Sequence, residues 1–312
     1  MALSSNESRF AITVQLRTGQ NLKVMLQKTL PVLASLVLIA SSCGVKEQRL
    51  ECLTPVSVHV NDFRITIDNI SDTKAVDAAS YNNLKALTLA FYEDSDEVFK
   101  STQRQGDDFF GDFSLNLPLG TYTMVVLGYS CYEGDVLTLS SPTSAAFTAG
   151  RVGETFAYTQ EVVIDDTDEL ELSATLDRIV AKFNVVSDDH RPEGAEKVRM
   201  TFSGGSKAFN PSTGFATSDT GFSNTVNIST EVNKRSASIS YLFLNSTEET
   251  MDVTVDVLDS EDAVLYHKVM RNVPFKQNRT TKLAGMLYTV TAPGSTAFQV
   301  NDGWIDELVV NF

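Results

Sequence analysis

The chain is 312 residues long and carries 25 Lys and Arg against 40 Asp and Glu, a formal net charge of −15. That excess of acid excludes nucleic acid and anionic lipid headgroups as partners held by charge, because both repel it. Its 3 Cys and 3 His are scattered, without the spacing that a structural zinc site uses.

The first informative stretch is Leu30–Cys43, LPVLASLVLIASSC, in which Leu30–Ala40 has Ser35 as its one polar residue. As a helix that run rises only about 16 Å, too short for a bilayer core of roughly 30 Å, and it suits the apolar region of an export signal. Ala40-Ser41-Ser42-Cys43 resembles the lipobox of bacterial lipoproteins, in which the cysteine takes a lipid and becomes the mature N-terminus. Small residues before Cys43 let a peptidase reach the bond, and two or more acyl chains anchor stably where one does not. Residues 1–42 therefore read as a signal peptide outside the fold. Met25 opens a compact signal of its own and is expected to be the true start.

Without that leader, which holds four basic residues and one acidic, the chain 43–312 has 21 basic and 39 acidic residues, net −18. It is long enough for two sandwich-sized domains. Residues 43–50 read as a lipidated tether, polar through Gly44–Arg49, and Lys46-Glu47 resembles the charged signal of lipoproteins carried to the outer face. Cys52 and Cys131 either pair in an oxidising envelope or stay as two small buried thiols.

From there the pattern is strand after strand. Val56–Val60 and Phe63–Ile67 alternate apolar with polar, the rhythm of one buried and one wet face. Tyr81–Tyr92 follows, then a charged turn at Glu93–Glu97. Phe113–Leu117 alternates again and ends on Pro118-Leu119-Gly120, which is turn chemistry. Thr121–Tyr129, β-branched and aromatic, reads as a central strand, and Thr155–Ile164 adds another. The acidic run Asp165–Glu169 is the expected domain boundary; it lacks the glycine bend and terminal Glu of an EF-hand.

In the second half Arg178–Val185 reads as one long strand, followed by Lys197–Phe202. Gly204-Gly205 reads as a turn, since no Lys-Ser/Thr follows to make a phosphate loop. Asn210–Ser223 reads as a long binding or mobile loop. Thr225–Ser229, Ala237–Leu244, Asp252–Leu258, Val264–Val269 and Thr280–Val290 are all strand-like, and the chain closes on Leu308–Phe312. The expected fold is all-β, two tandem β-sandwiches over 51–169 and 170–312.

Neither a G-x-S-x-G elbow nor an H-E-x-x-H or G-x-G-x-x-G motif occurs, so no enzyme, cofactor or metal is expected. Trp304, the one tryptophan, is expected to pack a core, with sugar stacking the other reading.

Together these residues resemble the lipidated fimbrillin-like and fimbrial anchor proteins of gut and oral anaerobes. The lipobox at Cys43 with Cys52 soon after carries part of the likeness. Leu117-Pro-Leu-Gly120-Thr-Tyr122 looks like the family's L-P-x-G-x-Y, and Leu176–Phe183 is similar to the strand opening its second domain. Asn278–Tyr288 is similar to its late strand. The resemblance implies two transthyretin-like sandwiches and assembly of a surface fimbrium by strand exchange. Leu308, Val309, Val310 and Phe312 would form the donated strand, or else the domain's own last strand. Shaft subunits of that family are trimmed after arginine. Arg49 and Arg64 do not read as exposed cleavage loops, which favours a lipid-anchored anchor or minor subunit. Its partners would be other fimbrial subunits, the outer membrane through the lipid, and a host or bacterial surface ligand, at the cell surface. The rival reading is a surface glycan-binding lipoprotein of a carbohydrate-uptake system.

Overall fold

The structure, a computed structural model, describes residues 53–66, 73–77, 83–130, 136–166, 168–228, 231–289 and 307–311. Among them every regular element of more than a turn is a strand. The first half runs β1 (Leu53–Thr66), β2 (Thr73–Asp77), β3 (Ala86–Glu93), β4 (Asp96–Arg104), β5 (Asp112–Pro118), β6 (Gly120–Tyr129), β7 (Leu137–Ser141), β8 (Ser144–Phe147), β9 (Thr155–Ile164) and β10 (Leu170–Arg178). The second half runs β11 (Ala181–Ser187), β12 (Lys197–Phe202), β13 (Ala208–Asn210), β14 (Phe215–Ala216), β15 (Phe222–Asn227), β16 (Ala237–Leu242), β17 (Glu248–Leu258), β18 (Val264–Lys276), β19 (Thr280–Gly285) and β20 (Glu307–Asn311).

The first half is one eight-stranded sheet, ordered β2-β1-β10-β9-β6-β3-β4 with β5 on β1, that folds over on itself. β1 is the long alternating strand that the sequence shows as two runs; its register shifts between Val60 and Asp62. β10 runs parallel to β1 along most of its length and touches β9 only at Asp177 and Arg178, so the sheet turns its corner there. Between the two layers Val58, Leu89, Phe91, Phe113, Val126 and Phe156 make one core. Each such side chain taken from water contributes roughly 1.5–3 kcal/mol.

The acidic run thus connects β9 to β10, two strands of this one sheet. Asp166 caps its turn by accepting the Asp168 N–H at 3.0 Å, and its carbonyl accepts from Thr54 Oγ1 at 2.6 Å. The strand expected over Arg178–Val185 is broken at Ile179-Val180, after which β11 joins a different sheet.

The L-P-x-G-x-Y stretch is a tyrosine corner between the layers. Tyr122 Oη donates to the Pro118 carbonyl at 2.9 Å, four residues upstream. Its ring lies so close over Gly120 that a Cβ there would meet Oη at 3.0 Å. The glycine is favoured by the approach of the ring, which a Cβ would push aside, and not by its backbone angle.

The second half is a sandwich of two sheets, β16-β11-β19-β20 and β15-β12-β17-β18. Phe183, Phe202 and Phe275 meet at its centre, with ring centroids 5.4–6.1 Å apart in edge or tilted contacts. β19 ends at Gly285, earlier than the strand expected to reach Val290.

A fourth sheet, ordered β14-β13-β8-β7, draws strands from both halves. The β7–β8 hairpin comes from the first half and β13–β14 from the second. The stretch expected as a binding or mobile loop over Asn210–Ser223 therefore carries part of a sheet. It is tied down at Gly214 (φ +72), whose carbonyl accepts from Gln277 Nε2 at 2.9 Å, while the same nitrogen donates to the Ile179 carbonyl at 3.0 Å. Under this sheet Ala90, Tyr92, Leu127, Phe147, Val180 and Phe243 form a third core. β3 and β6 are therefore covered on both faces, which explains why their sequences are more apolar than their neighbours.

Candidate assembly surface

The residues singled out from the sequence fall unevenly on the structure. Cys43, Cys52, Cys131, Trp304 and Phe312 lie outside the described residues. Leu53 and Ser130, the described neighbours of Cys52 and Cys131, stand toward opposite ends of β6: Leu53 pairs with Pro118 just before it, and Ser130 follows its last residue. Leu308, Val309 and Val310 lie in β20.

β20 runs parallel to β19 from Thr280↔Glu307 to Ala284↔Asn311 and is the last strand of its sheet. Leu308 and Val310 hold the register positions of Thr281 and Leu283, and Leu283 belongs to the core of the second sandwich. On the same flank the other sheet ends in β18, and β18 and β20 approach within 8 Å between Cα atoms.

β18 is 13 residues long, and Val264, Leu265 and Val269 on it are exposed. A long edge strand with apolar side chains outward is a template for another chain. Two register shifts, opposite Met251/Val253 and Val257/Leu258, interrupt it and limit the regular stretch. At the first of them Asn272 adopts φ +54 and its N–H donates to Asp252 Oδ1 at 2.9 Å. On the outer face, Asp256 is nearly buried between Arg199, which donates through Nη2 to Oδ2 at 2.7 Å, and His267, whose Nδ1 lies 2.6 Å from Oδ1. That cross-strand row pins β18 to β17 and β12.

The Asn278–Tyr288 stretch is held from below. The Asp189 carboxylate accepts the N–H groups of Leu287 and Tyr288, both at 2.8 Å, and the Thr289 hydroxyl at 2.9 Å. Tyr288 Oη meets Ser236 Oγ, which in turn lies 3.2 Å from Ser187 Oγ. Burial pushes the Tyr288 phenol above its ordinary range, only partly opposed by these hydroxyls. Burial likewise lowers Lys268, against the pull of Asp189. Residues 287–289, just after β19, are thus held to Asp189.

The Leu176–Phe183 stretch acts at the passage between the halves. Arg178 Nε lies 3.2 Å from Glu154 Oε1, with both side chains nearly buried, and its guanidinium sits 5.8 Å from the Phe156 ring centre. Nothing in the sequence marks this pair, because Glu154 is one acid among many. Nor does the sequence mark the edge strand β4, which is mostly exposed and carries no apolar stripe.

No curated protein matches the sequence. Among solved structures, the chain is similar to a protein described as a candidate adhesin from Bacteroides ovatus, with 12% identity and a TM-score of 0.48 over 71% of this chain and 82% of that one. It is similar to the fimbrial anchor protein Mfa2 from Porphyromonas gingivalis, with 9% identity and a TM-score of 0.44 over 70% and 82%. It is also similar to the tip fimbrial protein Mfa3 from Porphyromonas gingivalis, with 11% identity and a TM-score of 0.32 over 70% and 81%. Residues 143–311, from the β7–β8 turn through β20, match the model of a family of unknown function, DUF6562; that is more than half of the chain, and the chain belongs to this family.

Proposed function

We propose that this chain is an exported, lipid-anchored subunit of a surface fimbrium, structural and adhesive rather than catalytic, that joins its neighbours by strand exchange along the β18–β20 flank. The observation that carries the reading is the place of β20. It is five residues long, it is last in its sheet, and only residues 286–306 join it to β19. A strand held along one edge, on a connection of that length, can leave without unravelling its neighbour. Its departure would bare the β19 edge beside the core that includes Leu283. A bared edge over an apolar groove recruits a strand from elsewhere.

The lipobox-like Ala40–Cys43 supports an anchor at the outer membrane, with residues 43–50 as tether and two sandwiches beyond it. The L-P-x-G-x-Y stretch supports the fimbrillin-like reading at the level of its chemistry, since its glycine and tyrosine serve one corner. The test pairs two changes. Cys43→Ser should release the protein from membranes, and removal of residues 307–312 should leave a folded body that is missing from detergent-resistant ladders of fimbrial subunits. Membrane retention of the serine variant, or ladders unchanged by the truncation, would overturn the reading. Diffuse surface labelling together with saturable polysaccharide binding would favour the glycan-binding rival.

A further inference from the structure

The β4–β5 connection, Gln105–Gly111, holds an unusual residue. Phe109 adopts φ +59, in the left-handed region that bulky side chains avoid, and it is 79% exposed. A conformation of that kind persists only where its surroundings dictate it. Here they do. Gln103 Nε2 donates to the carbonyls of Asp112 at 2.7 Å and Phe109 at 3.3 Å, and its Oε1 accepts the Gly111 N–H at 2.8 Å. The Asp112 N–H donates to the Phe109 carbonyl at 2.8 Å, and the Gly111 carbonyl accepts from Val60 N at 2.8 Å. Asp107 Oδ2 caps the Arg104 N–H at 2.7 Å. The next residue, Phe110, packs against the first core. The loop is rigid, and of its two adjacent phenylalanines one is folded in while the other is held out.

An aromatic ring standing clear of the surface is a knob, not a platform. A sugar stacks on a flat aromatic face supported from behind, whereas a protein partner takes such a ring into a pocket, where aromatic anchors dominate binding. The strand leading into the loop, β4, is the terminal strand of its sheet, and its open backbone edge offers hydrogen bonds suited to a polypeptide. Asp107 and Asp108, both exposed, flank the ring, and Asp112 lies just beyond, paired with His59 at 2.8 Å.

We propose that Phe109 is the anchor of a docking site for a protein partner, which receives the ring in an apolar pocket rimmed by Lys or Arg. The acidic flank and the acidic chain as a whole make a second copy of this chain a poor occupant. This site lies on the first half, on a different sheet from β18 and β20, and stands or falls independently of strand exchange.

The test uses a photo-crosslinking amino acid at position 109 of the full-length protein on intact cells, with the same group at Val163, which is also exposed, as the control. The expected result is one conjugate from position 109 only, mapping next to Lys or Arg in a polypeptide and weakening as salt rises. Wild-type soluble protein should compete it away, and a Phe109→Gly variant should compete at least tenfold less well. The same variant should melt about 2–4 °C higher than wild type, because glycine relieves the backbone without losing buried contacts. A lower melting temperature for Phe109→Gly would mean that the ring supports the fold. That result, equal labelling at 109 and 163, a glycan conjugate, or equal competition would each overturn the proposal.

Discussion

Phe147 of β8 stacks with Phe243 of the second half, ring centroids 6.4 Å apart and planes 24° from parallel, and Phe243 stacks in turn on Phe209 at 4.1 Å. The two halves are thus joined through packed rings, not merely through a linker. Truncating Phe243→Ala leaves a cavity where both halves meet and should cost about 3–5 kcal/mol. Because the rings are shared, calorimetry of the wild type should show one cooperative transition. Two separated transitions in the wild type would show that the shared core does not couple the halves.

The tyrosine corner makes a sharper test of local geometry. Tyr122→Phe removes the hydrogen bond to Pro118 and should cost about 1 kcal/mol by denaturant unfolding. Gly120→Ala puts a methyl 3.0 Å from the same oxygen and 3.1 Å from Cζ, so it pushes the ring off its bond. The two changes act on one contact and should be clearly less than additive when combined. Simple additivity would mean that the glycine serves something other than the ring.

How far the sequence carries this fold depends on what each residue faces. Strands with one wet face, such as Phe113–Leu117 and Lys197–Phe202, alternate plainly and lie where the pattern puts them. Thr121–Tyr129 lacks alternation because it is covered on both sides, and that too is legible. β4 is not, since its only apolar residues, Val98 and Phe99, stand side by side and leave no apolar period. Nor are β13 and β14, three and two residues long, whose pairing depends on a hairpin more than sixty residues earlier in the chain. The acidic run joins two strands of one sheet, and its composition alone does not show this, because a solvated turn looks alike inside a sheet and between domains. Of the assembly surface, Leu308–Val310 could be read as a short terminal strand, but its parallel seat on β19 could not, because register is set in three dimensions.

The buried pair Arg178–Glu154 should behave as a unit. Glu154→Ala strands a guanidinium that is nearly out of water and should cost about 3–5 kcal/mol, far more than an exposed pair. Replacing both residues with apolar side chains of similar size should recover much of that loss. Equal destabilisation by the single and double variants would contradict the pairing argument.

Tyr92 is fully buried in the shared core, and its hydroxyl has no hydrogen-bond partner among the described residues. Burial, aided by the Glu97 carboxylate, pushes its phenol up to about 12. Below pH 10 the folded and unfolded chains both keep this proton. Between pH 10 and 12 the unfolded chain loses it first, so stability falls as pH rises through that window. Tyr92→Phe should therefore raise stability at neutral pH by about 1 kcal/mol and flatten the alkaline fall. Loss of stability at neutral pH in this variant would reveal a partner for the hydroxyl.

The most direct measurement of the assembly claim is a disulfide trap between the register partners Thr281 and Leu308. With Thr281→Cys and Leu308→Cys in one chain, and the native cysteines other than Cys43 replaced, oxidised monomer should carry an internal bridge. Oxidised fimbriae should instead give a ladder of covalently joined subunits on non-reducing gels, because strand exchange would set position 308 of one subunit against position 281 of the next. Fimbriae that dissolve into internally bridged monomers would show that β20 never leaves its own sheet.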